Sequence, residues 1–230
     1  MNEEAAFLRA ICDQPDEDTP RLVFADWLDE QGGEVNVAWA ELIRGQVALA
    51  RDPGNERERL AARDRVLEPT VIAAWPKRLG LPDGLAWQNW TRGFPLTLSG
   101  SGTIIRAARP AFAGRIPLRE FNIKPATDAD LVEFVMWPEL KLVRKLGVWT
   151  KAALINERGL LALFRCEHLS GLERLRMQSV AYTDAAMETF LDSPHMSQLV
   201  SVQIVGTWFS ALSEEVQQRV HERFGEWDIR

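Results

Sequence analysis

One apolar phrase recurs four times along the second half of the chain, always with the same spacing. It reads Leu118, Phe121, Ile123, then Val143, Leu146, Val148, then Leu172, Leu175, Met177, and finally Leu199, Val202, Ile204. Measured at the middle position, the copies are 25, 29 and 27 residues apart. The alternation that closes each phrase predicts a short strand, because side chains two residues apart share one face. Helices are expected in between. Thr127-Asp128-Ala129-Asp130 caps one carrying Leu131, Phe134 and Val135, with Trp137-Pro138 as its stop. A second is expected over Ala152, Ala153, Ile155, Leu160, Leu161 and Phe164, loosened between Asn156 and Gly159. Thr183-Asp184 caps a third with Met187, Phe190 and Leu191, ended by Ser193-Pro194. Ser213-Glu214-Glu215 opens the last, whose Val216, Val220 and Phe224 should cover the C-terminal face.

The first half follows the helical period instead. Ala6, Phe7, Ala10 and Ile11 predict a helix over Glu3 to Gln14, stopped by Pro15. Asp16-Glu17-Asp18-Thr19-Pro20 then starts a second, to Gln31, with Leu22, Val23, Ala25, Trp27 and Leu28 as its apolar face and Gly32-Gly33 as its end. A third, Asn36 to Arg51, is expected to bury Trp39, Leu42, Ile43, Val47 and Leu49 or Ala50 before the Asp52 to Asn55 turn. The fourth begins near Glu56, and Glu68-Pro69 should kink or split it. Leu79 to Gly84 is the expected boundary. Beyond it Phe94, Leu96 and Leu98 predict an alternating strand, a degenerate first copy 25 residues before Phe121, followed by a helix over Ile104 to Ala113.

A period in this range headed by L-x-x-L-x-L is the leucine-rich-repeat signature. One such unit cannot bury its own apolar edge, so copies must stack. The expected fold is an α/β solenoid, a leucine-rich-repeat horseshoe of about five parallel strands with outer helices, preceded by a small all-α domain. Residues 1–82 form the helical domain and 83–230 the repeats with a terminal capping helix.

Ala6 to Ile11, the run Pro15 to Gly32 with its P-R-L-V-F-A-D-W-L-D-E core, and Glu41 to Gln46 together resemble the bacterial repeat-companion domain. Members of that family commonly continue with an R-G-F strand, repeats and an R-F-G tail, similar to Arg92-Gly93-Phe94 and Arg223-Phe224-Gly225 here. The resemblance implies a companion-plus-repeat architecture; it carries no assigned reaction and no catalytic residues.

Charge sharpens the partner question. Residues 1 to 80 hold 16 acids against 10 bases, whereas the remaining 150 residues are balanced. No domain has the basic surplus of a nucleic-acid binder. The acidic start and the lack of a long apolar run imply a cytoplasmic protein without a membrane partner. Cys12 and Cys166 have no disulfide or metal spacing, and the Asp13 to Asp18 run lacks the calcium-loop order. Ser99 to Thr103 reads as a strand-to-helix loop without a phosphate-binding motif. Glu139, His168 and His195 share one repeat column, so a turn role outweighs catalysis, and Cys166 with His168 lacks an orienting acid. If Asp26 is buried, Arg21 or Arg44 should pair with it. Neither an enzymatic centre nor a cofactor is expected.

What remains is the face opposite the core. Residues alternating with the phrase point out along the inner, concave sheet: Glu120, Asn122, Lys124; Lys145, Gly147, Trp149; Arg174, Arg176, Gln178; Ser201, Gln203, Val205. Lys124, Lys145, Trp149, Arg174, Arg176, Gln178 and Gln203 are the expected partner-binding set, with an exposed tryptophan among bases and amides. This predicts a protein–protein interaction module for an acidic or amphipathic segment. Alternatively, the basic stripe pairs with the chain's own acidic helices, or the protein is a regulatory or substrate subunit of a stress or defence pathway with the helical domain as effector.

Overall fold

The computed structural model describes residues 3–51, 54–125, 127–150, 155–178, 180–205 and 211–224. Four helices come first, α1 (Glu3–Asp13), α2 (Thr19–Gln31), α3 (Glu34–Arg51) and α4 (Arg57–Leu79). Strands β1 (Ala86–Thr91) and β2 (Phe94–Ser101) and helix α5 (Gly102–Phe112) follow. The chain then alternates: β3 (Glu120–Lys124), α6 (Asp128–Phe134), β4 (Lys145–Trp149), α7 (Glu157–Phe164), β5 (Arg174–Gln178), α8 (Asp184–Asp192), β6 (Ser201–Val205), α9 (Glu214–Phe224). The six strands form one sheet in chain order, and β3 to β6 pair in parallel, which makes this an α/β fold. Among the described residues no helix is long and apolar enough to cross a membrane.

The chain divides into two compact units. The first comprises Met1–Asp83, Trp87–Thr97 and Ala108–Pro117, the second Gly84–Ala86, Leu98–Ala107 and Leu118–Arg230.

In the first unit the helices are where the sequence puts them, and two bury a face shifted from the expected one, keeping Ile11 on α1 and Ala25 and Leu28 on α2. Helix α1 buries Leu8, Ile11 and Cys12 and exposes Ala6 and Ala10. Helix α2 buries Arg21, Phe24, Ala25 and Leu28, leaving Val23 exposed. Packing decides between the two apolar stripes that each helix offers. Phe24 meets Trp39 edge-on at 5.1 Å and also touches Phe94, an aromatic cluster that no alternative stripe could complete. The Arg21 guanidinium, fully enclosed, donates to the carbonyls of Pro15 and Glu17 at 2.7 Å each and so ties down the α1–α2 connection.

Helix α4 is not split at Pro69. It runs unbroken through Pro69 and Pro76 because Leu67, Val71, Trp75 and Leu79 are buried at every fourth position on both sides of the missing N–H donor. Gly80, left-handed at φ 65°, ends the helix, with the Leu81 N–H donating to the Pro76 carbonyl at 2.9 Å. The Leu79 to Gly84 stretch thus begins with a helix stop.

Arg92 and Gly93, with φ of 49° and 82°, form the two-residue turn of the β1–β2 hairpin. Its tip is docked: Gly93 N–H donates to Gln46 Oε1 at 2.8 Å and its carbonyl accepts from Trp39 Nε1 at 2.7 Å. Strand β2 does not keep a simple alternation, since Phe94, Pro95, Thr97 and Leu98 are all buried; it is covered on both faces. Ser99 to Ser101 belong to this strand and Gly102 opens α5, so the expected loop between them does not exist; a Cβ on Gly102 would stand 3.2 Å from Pro125 Cα.

In the second unit Phe121, Leu146, Leu175 and Val202 lie opposite one another on neighbouring strands. The phrase extends further back than its first residue: Leu140, Leu169 and Met196, each three residues before Val143, Leu172 and Leu199, are fully buried in short 3-10 turns. Glu139, His168 and His195 occupy the second position of these turns. Helix α7 begins only at Glu157, capped by Asn156; Ala152 and Ala153 lie outside the described residues.

Three hydrogen-bond series fix the spacing between units. The carbonyls of Arg119, Arg144 and Glu173 each accept two N–H bonds from the residues entering the next strand. An acid at the first helical position reaches the cap of the following helix: Asp128 accepts from Asn156 N–H at 3.0 Å, Glu157 from the Thr183 hydroxyl at 2.8 Å, and Asp184 from Ser213 N–H at 3.0 Å. After α6 and α7 a carbonyl is satisfied from the segment that follows the next helix, Val135 by the Cys166 thiol at 3.0 Å and Phe164 by the Ser193 hydroxyl at 2.5 Å. At the last unit the equivalent Leu191 carbonyl accepts from Arg223 Nη1 at 2.5 Å.

Candidate functional site

The open face of β3 to β6 carries the outward-pointing residues in rows set by the strand register. One row runs Glu120, Lys145, Arg174, Ser201, and the next Asn122, Gly147, Arg176, Gln203. Trp149, Gln178 and Val205 form a third, with Lys124 at the end of β3. These positions alternate with the buried phrase residues and face away from them, and of the twelve only Gly147 is itself buried.

The second row has a gap at Gly147, and a neighbour fills it. A Cβ there would overlap Asn122 Oδ1 and stand 2.6 Å from Trp149 Nε1, so the indole lies back along its own strand over the glycine. Trp149 is therefore half-buried rather than exposed as expected, and its Nε1 is enclosed without a hydrogen-bond partner. The Arg176 guanidinium sits over the ring at 4.4 Å from its centroid. This stacking orients the cation and removes rotamer freedom that a lone surface arginine would retain.

Around this stack is an open cleft of about 430 Å³. Lys145, Trp149, Arg174, Arg176 and Gln203 of the expected set line it, together with Glu120, Asn122, Gly147, Ser201 and Val200. Lys124 and Gln178 lie on the same face outside the lining. Val200, which precedes its strand and so escaped the alternation, is 76% exposed and adds an aliphatic surface beside the bases. Lys145 is shared with Glu120 at 3.9 Å, and Glu120 also accepts from Asn122 at 3.0 Å. Among the described residues neither Arg174 nor Arg176 has a carboxylate partner; the cleft holds three bases against one acid.

The other chemical candidates are engaged structurally. The Cys166 thiol is buried, donates to Val135 O and has its pKa raised by burial, the opposite of an activated nucleophile. Asp26 is exposed, and Arg44 bridges it and Asp29 at 2.7 and 2.6 Å. From the acidic run, Asp18 is paired with Arg51 at 2.8 Å and Arg92 at 3.4 Å. No cluster of three or more metal-ligating side chains occurs among the described residues.

Sequence reading missed one titratable group. Asp64 on α4 is buried against Gly45 of α3, where a Cβ would stand 2.8 Å from its Oδ1, and that oxygen has no hydrogen-bond partner. Burial, with Glu68 and Glu41 nearby, pushes its pKa from 3.8 up to about 6. The folded value lies above the unfolded one, so the contribution of the protonated form is complete below 3.8 and lost as the pH rises through about 6. Asp64→Asn is expected to raise stability by about 1–2 kcal/mol near pH 8 and to be neutral near pH 4, compared by urea midpoints. Equal effects at both pH values would remove the charge as the cause.

No family model matches the chain, and no curated protein or solved structure does so either.

Proposed function

We propose that the chain is a non-enzymatic interaction module in which residues 83–230 form a short leucine-rich-repeat solenoid, residues 1–82 a repeat-companion domain, and the open sheet face docks an acidic or amphipathic segment of another protein. In such a solenoid this face lies inside the curve, where recognition surfaces concentrate. The observation that supports the reading best is the pair Arg174 and Arg176, unpaired with any described carboxylate, beside an indole that holds one of them. A solvated idle strand has no need of a stacked cation over a glycine gap. Val200 supplies the apolar contact that an amphipathic segment requires.

An acidic peptide with alternating aliphatic residues, titrated against the full chain by fluorescence anisotropy, tests this. The triple variant Trp149→Ala, Arg174→Ala, Arg176→Ala is expected to weaken binding about 100-fold or more, since buried aromatic and arginine contacts dominate interfaces. Its thermal melt should stay close to that of the parent. Undiminished affinity in the folded triple variant would reject this face.

A further inference from the structure

We propose that the group selected at this cleft is a phosphorylated side chain of the docked segment, held between Arg174 and Arg176. The inference rests on the docking reading above and adds the chemistry of the anchor. Both arginines project from one face of β5, two residues and about 6.6 Å apart along the strand, a span that converging guanidinium groups can close over one tetrahedral oxyanion. The charge balance points the same way. Lys145, Arg174 and Arg176 stand against Glu120 alone, leaving two positive charges, and a phosphomonoester supplies about −1.5 to −2. A single carboxylate would fill one guanidinium fork and leave the other charge uncompensated once the segment covers it.

The immediate neighbours also suit phosphate. Ser201 and Gln203 lie across from Arg174 and Arg176 on β6, so the side of the arginines away from Glu120 presents a hydroxyl and an amide, with no acid in the cleft there. A phosphate has three terminal oxygens to receive such donors beyond the two forks, and a carboxylate has two. Arg176 is held over Trp149, and the Gly147 gap makes room for that ring. The cation is thus presented before the ligand arrives, which lowers the ordering cost of binding.

Three versions of the acidic test peptide, identical except for serine, phosphoserine or glutamate at the centre, distinguish the outcomes on the full chain by calorimetry. Phosphoserine is expected to bind about tenfold or more tightly than serine and clearly more tightly than glutamate. That advantage should shrink when the pH drops from about 7.5 to about 5, as the phosphate takes up its second proton, and should vanish in Arg174→Ala and in Arg176→Ala. Equal binding of phosphoserine and glutamate overturns the phosphate inference and leaves the docking reading standing. Binding of none of the three overturns both. Tighter capture of a phosphoinositide vesicle or an RNA strand than of the phosphopeptide would also overturn it, by assigning the clamp to another partner.

Discussion

Replacing Gly93 by alanine is expected to destabilise the first unit by about 4 kcal/mol, a large share of the stability of an ordinary domain. Two effects add. The residue sits at φ 82°, where a side chain costs about 1 kcal/mol. The new Cβ would also overlap Ile43 Cγ1 and stand 3.2 Å from Ile43 Cα. A side-chain rotation could relieve the first contact, but the second is backbone. If the turn instead lifts away, it strands the Trp39 indole N–H and the Gln46 carbonyl oxygen, two buried groups worth about 1–3 kcal/mol each when unpaired. Gly114 is the control, because it has a similar φ of 66° with nothing within 4 Å of its Cβ position. Gly114→Ala should cost only the backbone strain. Urea unfolding of both variants decides the matter, and equal losses would show that the docked hairpin contributes nothing beyond its turn.

Arg223→Ala has the second largest expected effect, a loss of about 2–3 kcal/mol in the second unit. Arg223 donates to the carbonyls of Leu191 and Met196, at 2.5 and 2.9 Å, and lies over the rings of Phe190 and Phe224. Phe224 itself stacks on Phe190 at 5.5 Å. Removing the guanidinium takes the side-chain donor from the Leu191 carbonyl near the end of α8 and uncovers the aromatic pair together. Arg223→Lys should recover only part of the loss, since an ammonium cannot reproduce the planar fork. Hydrogen exchange of α8 amides offers a local readout. Unchanged exchange there in Arg223→Ala would refute a capping role.

The register of β3 to β6 was legible because a strand buried on one face cannot slip by one residue without turning its apolar set outward. Phe121, Leu146, Leu175 and Val202 therefore announced their own pairing. The phases of α1 and α2 were not legible. Each offers two apolar stripes of similar quality, and on α2 the aromatic cluster of Phe24, Trp39 and Phe94, built from distant parts of the chain, selects one. Pro69 misled for a related reason, since a local penalty was outweighed by buried anchors on either side. In the cleft, alternation identified which residues face outward. It could not show that Trp149 folds onto Gly147, because that contact depends on an absent side chain and on Asn122 from the neighbouring strand. Asp64 escaped notice since an acid in a charged helix resembles a solvated one until the helix opposite is placed.

The series formed by Cys166, Ser193 and Arg223 bears on which substitutions each place can take. Each short donor serves a carbonyl at the end of the preceding helix from within the core, whereas the arginine reaches Leu191 from α9. A thiol and a hydroxyl thus do one task at Cys166 and Ser193, and either kind of short donor suffices there. Arg223 does so with a planar cation that also covers Phe190 and Phe224, so no short side chain in that place can stand in for it.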